Sequence, residues 1–135
     1  MIAFDTDVLT EILLGEPIFV ARAATIPPHE QAVPVVVIEE MMRGRLQVIR
    51  QAEVGQARVS LSDAYNLFEQ TLRDVQQMTV LSYTPQADAL YRQWRHQRIR
   101  VGTHDLRCVA HVATLISRNQ RDFGQIPGLR VEFWE

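Results

Sequence analysis

Four carboxylates stand in four separated stretches of this chain, each in its own local pattern: Asp5 in IAFDTDVL, Glu40 in VVVIEEMMRG, Asp105 in VGTHDLRCVA and Asp122 in LISRNQRDF. A lone Asp or Glu is most simply a solvated charge or a helix cap, so it is the four together that point to chemistry. Gathering them is costly, because two unit charges about 4 Å apart repel by about 4 kcal/mol at an effective dielectric near 20. Protonation of some members, or a divalent cation, must offset that repulsion. Oxygen ligands without a supporting histidine or cysteine set select Mg2+ or Mn2+ over zinc. Such an ion lowers the pKa of bound water, orients it for in-line attack on phosphorus and stabilises the departing oxygen.

The elements that must position these acids alternate in type. Residues 2–5 (IAFD) read as a buried strand ending on an acid, and Val8, Leu9, Ile12 and Leu13 then recur at helical spacing until Gly15. A helix is expected from Pro17 to Thr25, closed by Pro27-Pro28, and Val33–Val36 form a second apolar strand. From Val37 the period is helical through Glu40, Met41, Met42, Leu46 and Ile49. The next helix spans about Leu61 to Met78, capped by Ser60 or Ser62, with Ala64, Leu67, Phe68, Leu72 and Val75 on one face.

Val80–Ser82 is a third short strand. Thr84 caps a helix begun by Pro85 that carries Ala89, Leu90 and Trp94 inward and is broken by Gly102. Thr103 caps the helix bearing Asp105, Val109 and Val112. Leu115 and Ile116 belong to a fourth strand, NQRDFGQIPG reads as a loop, and Leu129–Phe133 is the last strand. This alternation implies an α/β sandwich around a mainly parallel sheet. In such sheets the usable crevice lies beyond the carboxyl ends of the strands, where Asp5, Glu40 and Asp122 are expected, while Asp105 opens a helix.

The order of the acids, their flanks and the closing IPGLRVEFW resemble the PIN-domain ribonucleases, in particular the VapC-type toxins of prokaryotic toxin–antitoxin pairs, from Met1 to Trp134. The resemblance implies a three-layer α/β/α sandwich and an endoribonuclease cutting structured RNA such as tRNA or rRNA. It implies that Asp5, Glu40 and Asp105 hold the metal, Mg2+ or Mn2+. In the family the fourth position is filled either by the residue at Asn119 or by the acid at Asp122. We favour Asp122 as ligand and Asn119 as its polar supporter. Thr6 and Ser117 match hydroxyl positions that hydrogen-bond the acids, although Thr6 reads equally as a helix cap. A VapB-like antitoxin filling the acidic crevice and a homodimer are further implications.

Glu39 and Asp7 neighbour the assigned acids. The E-x-x-x-G spacing of the family picks Glu40 through Gly44, and adjacent side chains on a helix point about 100° apart, so both glutamates do not serve alike. One departure from the family stands out. Asn119 follows Asp105 by 14 residues, a separation short of the family's by about four residues, close to one turn of helix. Either the crossover helix loses a turn, or Ser117, Asn119 and Asp122 shift and activity weakens. The alternative function is accordingly a catalytically weakened PIN-fold module that binds RNA or protein.

Length and composition bound the rest. With 135 residues and 47% hydrophobic content, residues 1–135 are expected to form a single domain. No apolar run approaches the roughly 20 residues needed to span a bilayer, and no signal peptide is legible, so a cytoplasmic location is expected. Cys108, the single cysteine, reads as a core residue, and His29, His96, His104 and His111 lack metal-ligand spacing. Neither GxGxxG, P-loop, GxSxG nor a Ser-His-Asp arrangement is present. Net charge is -2, yet Arg92, Arg95, Arg98, Arg100 and Arg107 cluster against Asp105 alone. Arg92, Arg95 and either His96 or Arg98 are expected near one helical face beside Trp94, where Arg95 and Arg98 read either as RNA phosphate contacts or as a solvated face. The stripe Met41, Met42, Leu46 and Ile49 reads as core or as a homodimer surface.

Overall fold

The structure, a computed structural model, describes residues 1–102, Arg107 and 114–135. The expectations for Thr103, His104, Asp105, Cys108, Val109, His111 and Val112 lie outside the described residues. The chain forms two compact units, one from Met1–Val37 with Thr79–Glu135 and one from Ile38–Met78. No helix of the described residues is long and apolar enough to cross a membrane.

The first unit carries the strands β1 (Ile2–Phe4), β2 (Gln31–Pro34), β3 (Val80–Leu81), β4 (Thr114–Ser117) and β5 (Val131–Phe133). They make one sheet in the order β3-β2-β1-β4-β5, and every pair is parallel. The sheet is thus wholly rather than mainly parallel. Ala3 lies opposite Ala32 on one side and Leu115 on the other. Ala3, Phe4, Leu115 and Ile116 are all buried, as expected for central strands of a parallel sheet covered on both faces.

Strands β1, β2 and β3 step outward in one direction, whereas β4 falls on the far side of β1. The order therefore reverses beside β1, and the crevice that opens at such a reversal lies beyond the carboxyl ends of β1 and β4. The closing Trp134 ties down the β5 side of that edge. Its backbone N–H donates to the Ser117 carbonyl at 2.9 Å. Its buried ring packs 5.9 Å from Phe4 and 6.2 Å from Phe19 between centroids.

Helix α1 (Thr6–Leu13) starts on the Asp5 side chain, which accepts from the Val8 N–H, and has Asp7 in its first turn, where the helix dipole favours a negative charge. It ends in a Schellman turn: Gly15 N–H reaches Ile12 O, Glu16 N–H reaches Glu11 O, and Gly15 takes φ +80°. Helix α2 (Pro17–Ala24) opens on its proline and buries Phe19 and Ala23.

Four expectations need correction. β2 ends at Pro34 and α3 (Val35–Glu53) begins two residues before the expected start, so Val35 and Val36 are helical. A short apolar run does not by itself distinguish a strand from a buried helix. Helix α5 (Pro85–His96), capped by Thr84, ends well before Gly102. There Arg98 adopts φ 59°, with Arg98 N–H bonded to Arg95 O and Ile99 N–H to Trp94 O, a Schellman turn closed without glycine. Arg98 is therefore off the helix that was expected to carry it, and it is Ala87 that is buried beside Trp94, Ala89 being exposed. Finally, the expected loop after β4 contains a helical turn, Gln120–Phe123.

The second unit contains most of α3 and α4 (Leu61–Gln76). Ser60 caps α4 by accepting from the Asp63 N–H at 3.1 Å. Ala64 and Thr71 are its buried residues, while Leu67 and Leu72 are exposed, against the expected face. Thr71 Oγ1 donates to Leu67 O and accepts from Arg45 Nε, so a hydroxyl and a guanidinium occupy what the apolar period suggested was a purely hydrophobic seam.

Candidate functional site

Asp5 sits one residue past β1, at the sheet's reversal, and only 5% of it is exposed. A buried carboxylate is tolerable only when hydrogen-bonded. One oxygen accepts from the Val8 N–H at 2.9 Å, and the other accepts from the Ser117 hydroxyl. Its backbone N–H donates to Ile116 O at 3.0 Å, which fixes it against β4. The N-terminus of α1 adds a favourable dipole. These bonds orient Asp5, whose carboxylate accepts at both oxygens.

Ser117, fully buried at the end of β4, is the hinge of a larger network. While its hydroxyl donates to Asp5, its oxygen accepts the Asn119 N–H at 2.8 Å. Asn119 in turn caps the helical turn that follows. Its Oδ1 accepts the Asp122 N–H at 3.2 Å, and its Nδ2 donates to Asp122 Oδ2 at 3.0 Å. Asp5, Ser117, Asn119 and Asp122 thus form one continuous hydrogen-bonded chain at the carboxyl ends of β1 and β4. The Asn119-x-x-Asp122 spacing is that of a capping box, a signal present in the sequence that the loop expectation overlooked.

The remaining predicted residues are placed less fully. Glu40 belongs to the second unit, half-buried in the second turn of α3. The neighbouring Glu39 is exposed and pairs with Arg43 one turn along. Thr6 is not the cap of α1, a role Asp5 fills; it is the first helical residue, half-buried, and its carbonyl accepts from the Thr10 hydroxyl. Asp105 lies outside the described residues. Among the described residues no group of three or more His, Cys, Asp or Glu side chains is arranged to hold a metal ion.

Arg95 is half-buried on the last turn of α5 and Arg98 is exposed beyond it. On the same helix Asp88 accepts from Arg92 Nε at 2.7 Å and from the Tyr83 hydroxyl at 3.0 Å. The Arg92 bond, and after it the Tyr83 bond, holds the Asp88 carboxyl below the usual carboxylate range. Burial, and then the bond to Asp88, pushes the Tyr83 hydroxyl up.

No protein-family model matches the sequence, and no curated protein matches it. Solved structures do. A chain of VapBC2 from Rickettsia felis, bound to a DNA fragment from its promoter, aligns over 100% of both chains with TM-score 0.73 and 16% identity. DNA-bound VapBC from Salmonella typhimurium aligns over 99% of this chain and 98% of that one, with TM-score 0.74 and 19% identity. FitAcB from Neisseria gonorrhoeae gives TM-score 0.73 at 16% identity, over 97% and 96%. The chain therefore has the PIN-like α/β fold that its sequence resemblance implied.

Proposed function

We propose that the chain is a Mg2+- or Mn2+-dependent endoribonuclease of the VapC type, the toxin of a toxin–antitoxin pair, which hydrolyses phosphodiester bonds in structured RNA such as tRNA or rRNA. The observation that carries this reading is buried Asp5 at the sheet reversal, joined through Ser117 and Asn119 to Asp122. Residues 1–135 act as one PIN domain in this reading, since β2 and β3 pair although the second unit separates them in sequence.

Asp5, Glu40, Asp105 and Asp122 are the proposed ligands and catalytic residues. The donor set fits a hard cation, for it offers carboxylate oxygens and neither sulfur nor imidazole. When bound, the ion supplies an activated water and neutralises charge on the scissile phosphate. The chain's own residues do the positioning. Ser117 orients Asp5, Asn119 holds Asp122 by both its backbone N–H and a carboxylate oxygen, and Thr6 supports the cluster at the start of α1. Arg95 and Arg98 attract RNA phosphates, to which guanidinium offers a planar fork of donors. The partners are an RNA substrate, a VapB-like antitoxin and a second copy of the chain, in the cytoplasm. The complexes from Rickettsia and Salmonella support the antitoxin partner by similarity.

A second reading, a PIN-fold binding module with weakened catalysis, is favoured by the short segment between Asp105 and Asn119. Purified protein incubated with total RNA, with and without Mn2+, separates the two. The nuclease reading expects metal-dependent fragments from the wild type and none from Asp5→Asn. Intact RNA in every lane supports the binding module instead.

A further inference from the structure

Between Ser117, which bonds Asp5, and Asn119, which caps the turn carrying Asp122, the chain passes through a single residue, Arg118. Its side chain leaves that network and reaches two helices from the other end of the sequence. Nη1 donates to Glu11 Oε1 on α1 at 2.8 Å, and the guanidinium carbon lies over the Phe19 ring on α2, 5.6 Å from its centroid. Both anchors are themselves fixed. Helix α1 is the one that Asp5 caps, and Phe19 is buried against Trp134. The Arg118 and Glu11 side chains are 46% and 30% exposed, and a pair so open to water adds little to stability. Its effect is geometric: a charge-assisted bond and a cation–π contact join segments 107 positions apart in the chain. The far end of the turn is held by Phe123, which is buried, and Arg118 stands at its near end.

We propose that Arg118 is a positioning residue: clamped between Glu11 and Phe19, it holds the near end of the Asn119–Phe123 segment so that Asp122 stays in register with Asp5. This rests on the reading of Asp5 and Asp122 as ligands of one site. Carboxylates gathered for a cation repel one another before it binds, so a tie from outside the cluster keeps the site assembled while it is empty. Arg118 touches neither substrate nor metal in this role and acts through the backbone it shares with Ser117 and Asn119.

The test uses the full chain with Glu11→Ala, Arg118→Ala and the two combined, each checked by circular dichroism for a retained fold. In chelator, backbone amide order parameters of Asn119, Gln120, Arg121 and Asp122 from nuclear magnetic resonance relaxation report the clamp without metal or RNA. The wild type should read about 0.85 there, as rigid backbone does, and both single variants should fall toward about 0.6, with the double no lower than Arg118→Ala. With Mn2+ and RNA, Arg118→Ala should lower kcat by up to about 100-fold, the cost of a displacement of about 1 Å, at unchanged KM and unchanged salt dependence. Arg118→Lys, which keeps a cation between Glu11 and Phe19, should stay near wild type in both measurements. Wild-type order parameters in Glu11→Ala or in Arg118→Ala overturn the proposal. So does an unchanged kcat, or a loss confined to KM with a flattened salt slope, the mark of an arginine that meets RNA directly. A wild type that cuts no RNA removes the nuclease reading instead, and the order parameters then decide the clamp alone.

Discussion

Ser117→Ala removes one oxygen from the centre of the network and exposes the account to a quantitative test. The hydroxyl donates to the buried Asp5 carboxylate and accepts the Asn119 N–H. A hydrogen bond to a charged group contributes about 1.5–3 kcal/mol, and a donor left without its partner costs about 1 kcal/mol or more. The half-buried Asn119 N–H belongs at the low end of that second range, because water reaches it. The expected loss is therefore about 2.5–4 kcal/mol. With an unfolding entropy of about 2.1 cal/mol/K per residue, the chain has about 0.28 kcal/mol/K, and the midpoint should fall by about 9–14 °C. Urea unfolding and thermal melts followed by circular dichroism measure both. A double-mutant cycle with Asp5→Ala should show a coupling of about 1 kcal/mol or more, since the two side chains share a bond. A Ser117→Ala loss below about 0.5 kcal/mol, or strictly additive variants, would refute the reasoning, because an exposed serine behaves that way.

Other consequences are tested more simply. Arg98→Gly relieves the left-handed backbone of a non-glycine residue, so it should raise stability by about 1 kcal/mol, seen as a higher urea midpoint, while lowering RNA affinity if Arg98 meets phosphate. Replacing Arg95 and Arg98 together by Gln should weaken RNA binding and flatten its dependence on salt by about one to two units in log–log slope, measured by titration at several ionic strengths; an unchanged slope removes them from the interface. Asp88 has a folded pKa below its unfolded value. Its stabilisation is therefore present above the unfolded pKa and lost as pH falls through the folded one. Asp88→Asn should be less stable than wild type near neutral pH, and the gap should close in acid; a gap that persists at the acid end contradicts the Arg92 and Tyr83 contacts.

Sequence patterns reported this molecule best where one physical signal dominates. Proline at the first turn located the start of α2, a capping hydroxyl that of α4 and the two together that of α5, and Gly15 marked the end of α1. Asp5 was legible because an apolar strand ending on an acid leaves few other positions for that side chain. Signals that compete were read less well. Three consecutive valines favour a strand by propensity, yet Val35 and Val36 begin α3, and the α5 terminus is made by an arginine doing what glycine ordinarily does. Burial by period failed at Leu67 and Leu72. The link from Ser117 through Asn119 to Asp122 was visible only in part, since each residue was named but the capping geometry joining them depends on where β4 ends.

The central claim is that carboxylates from distant segments jointly hold one or more hard divalent ions, and Mn2+ binding tests it most directly. Electron paramagnetic resonance of free Mn2+ during titration should reveal binding by the wild type, with sharply weaker binding by Asp5→Asn, Glu40→Gln, Asp105→Asn and Asp122→Asn, each checked by circular dichroism for a retained fold. Wild-type protein that leaves the free Mn2+ signal untouched, or variants that bind as the wild type does, would contradict it.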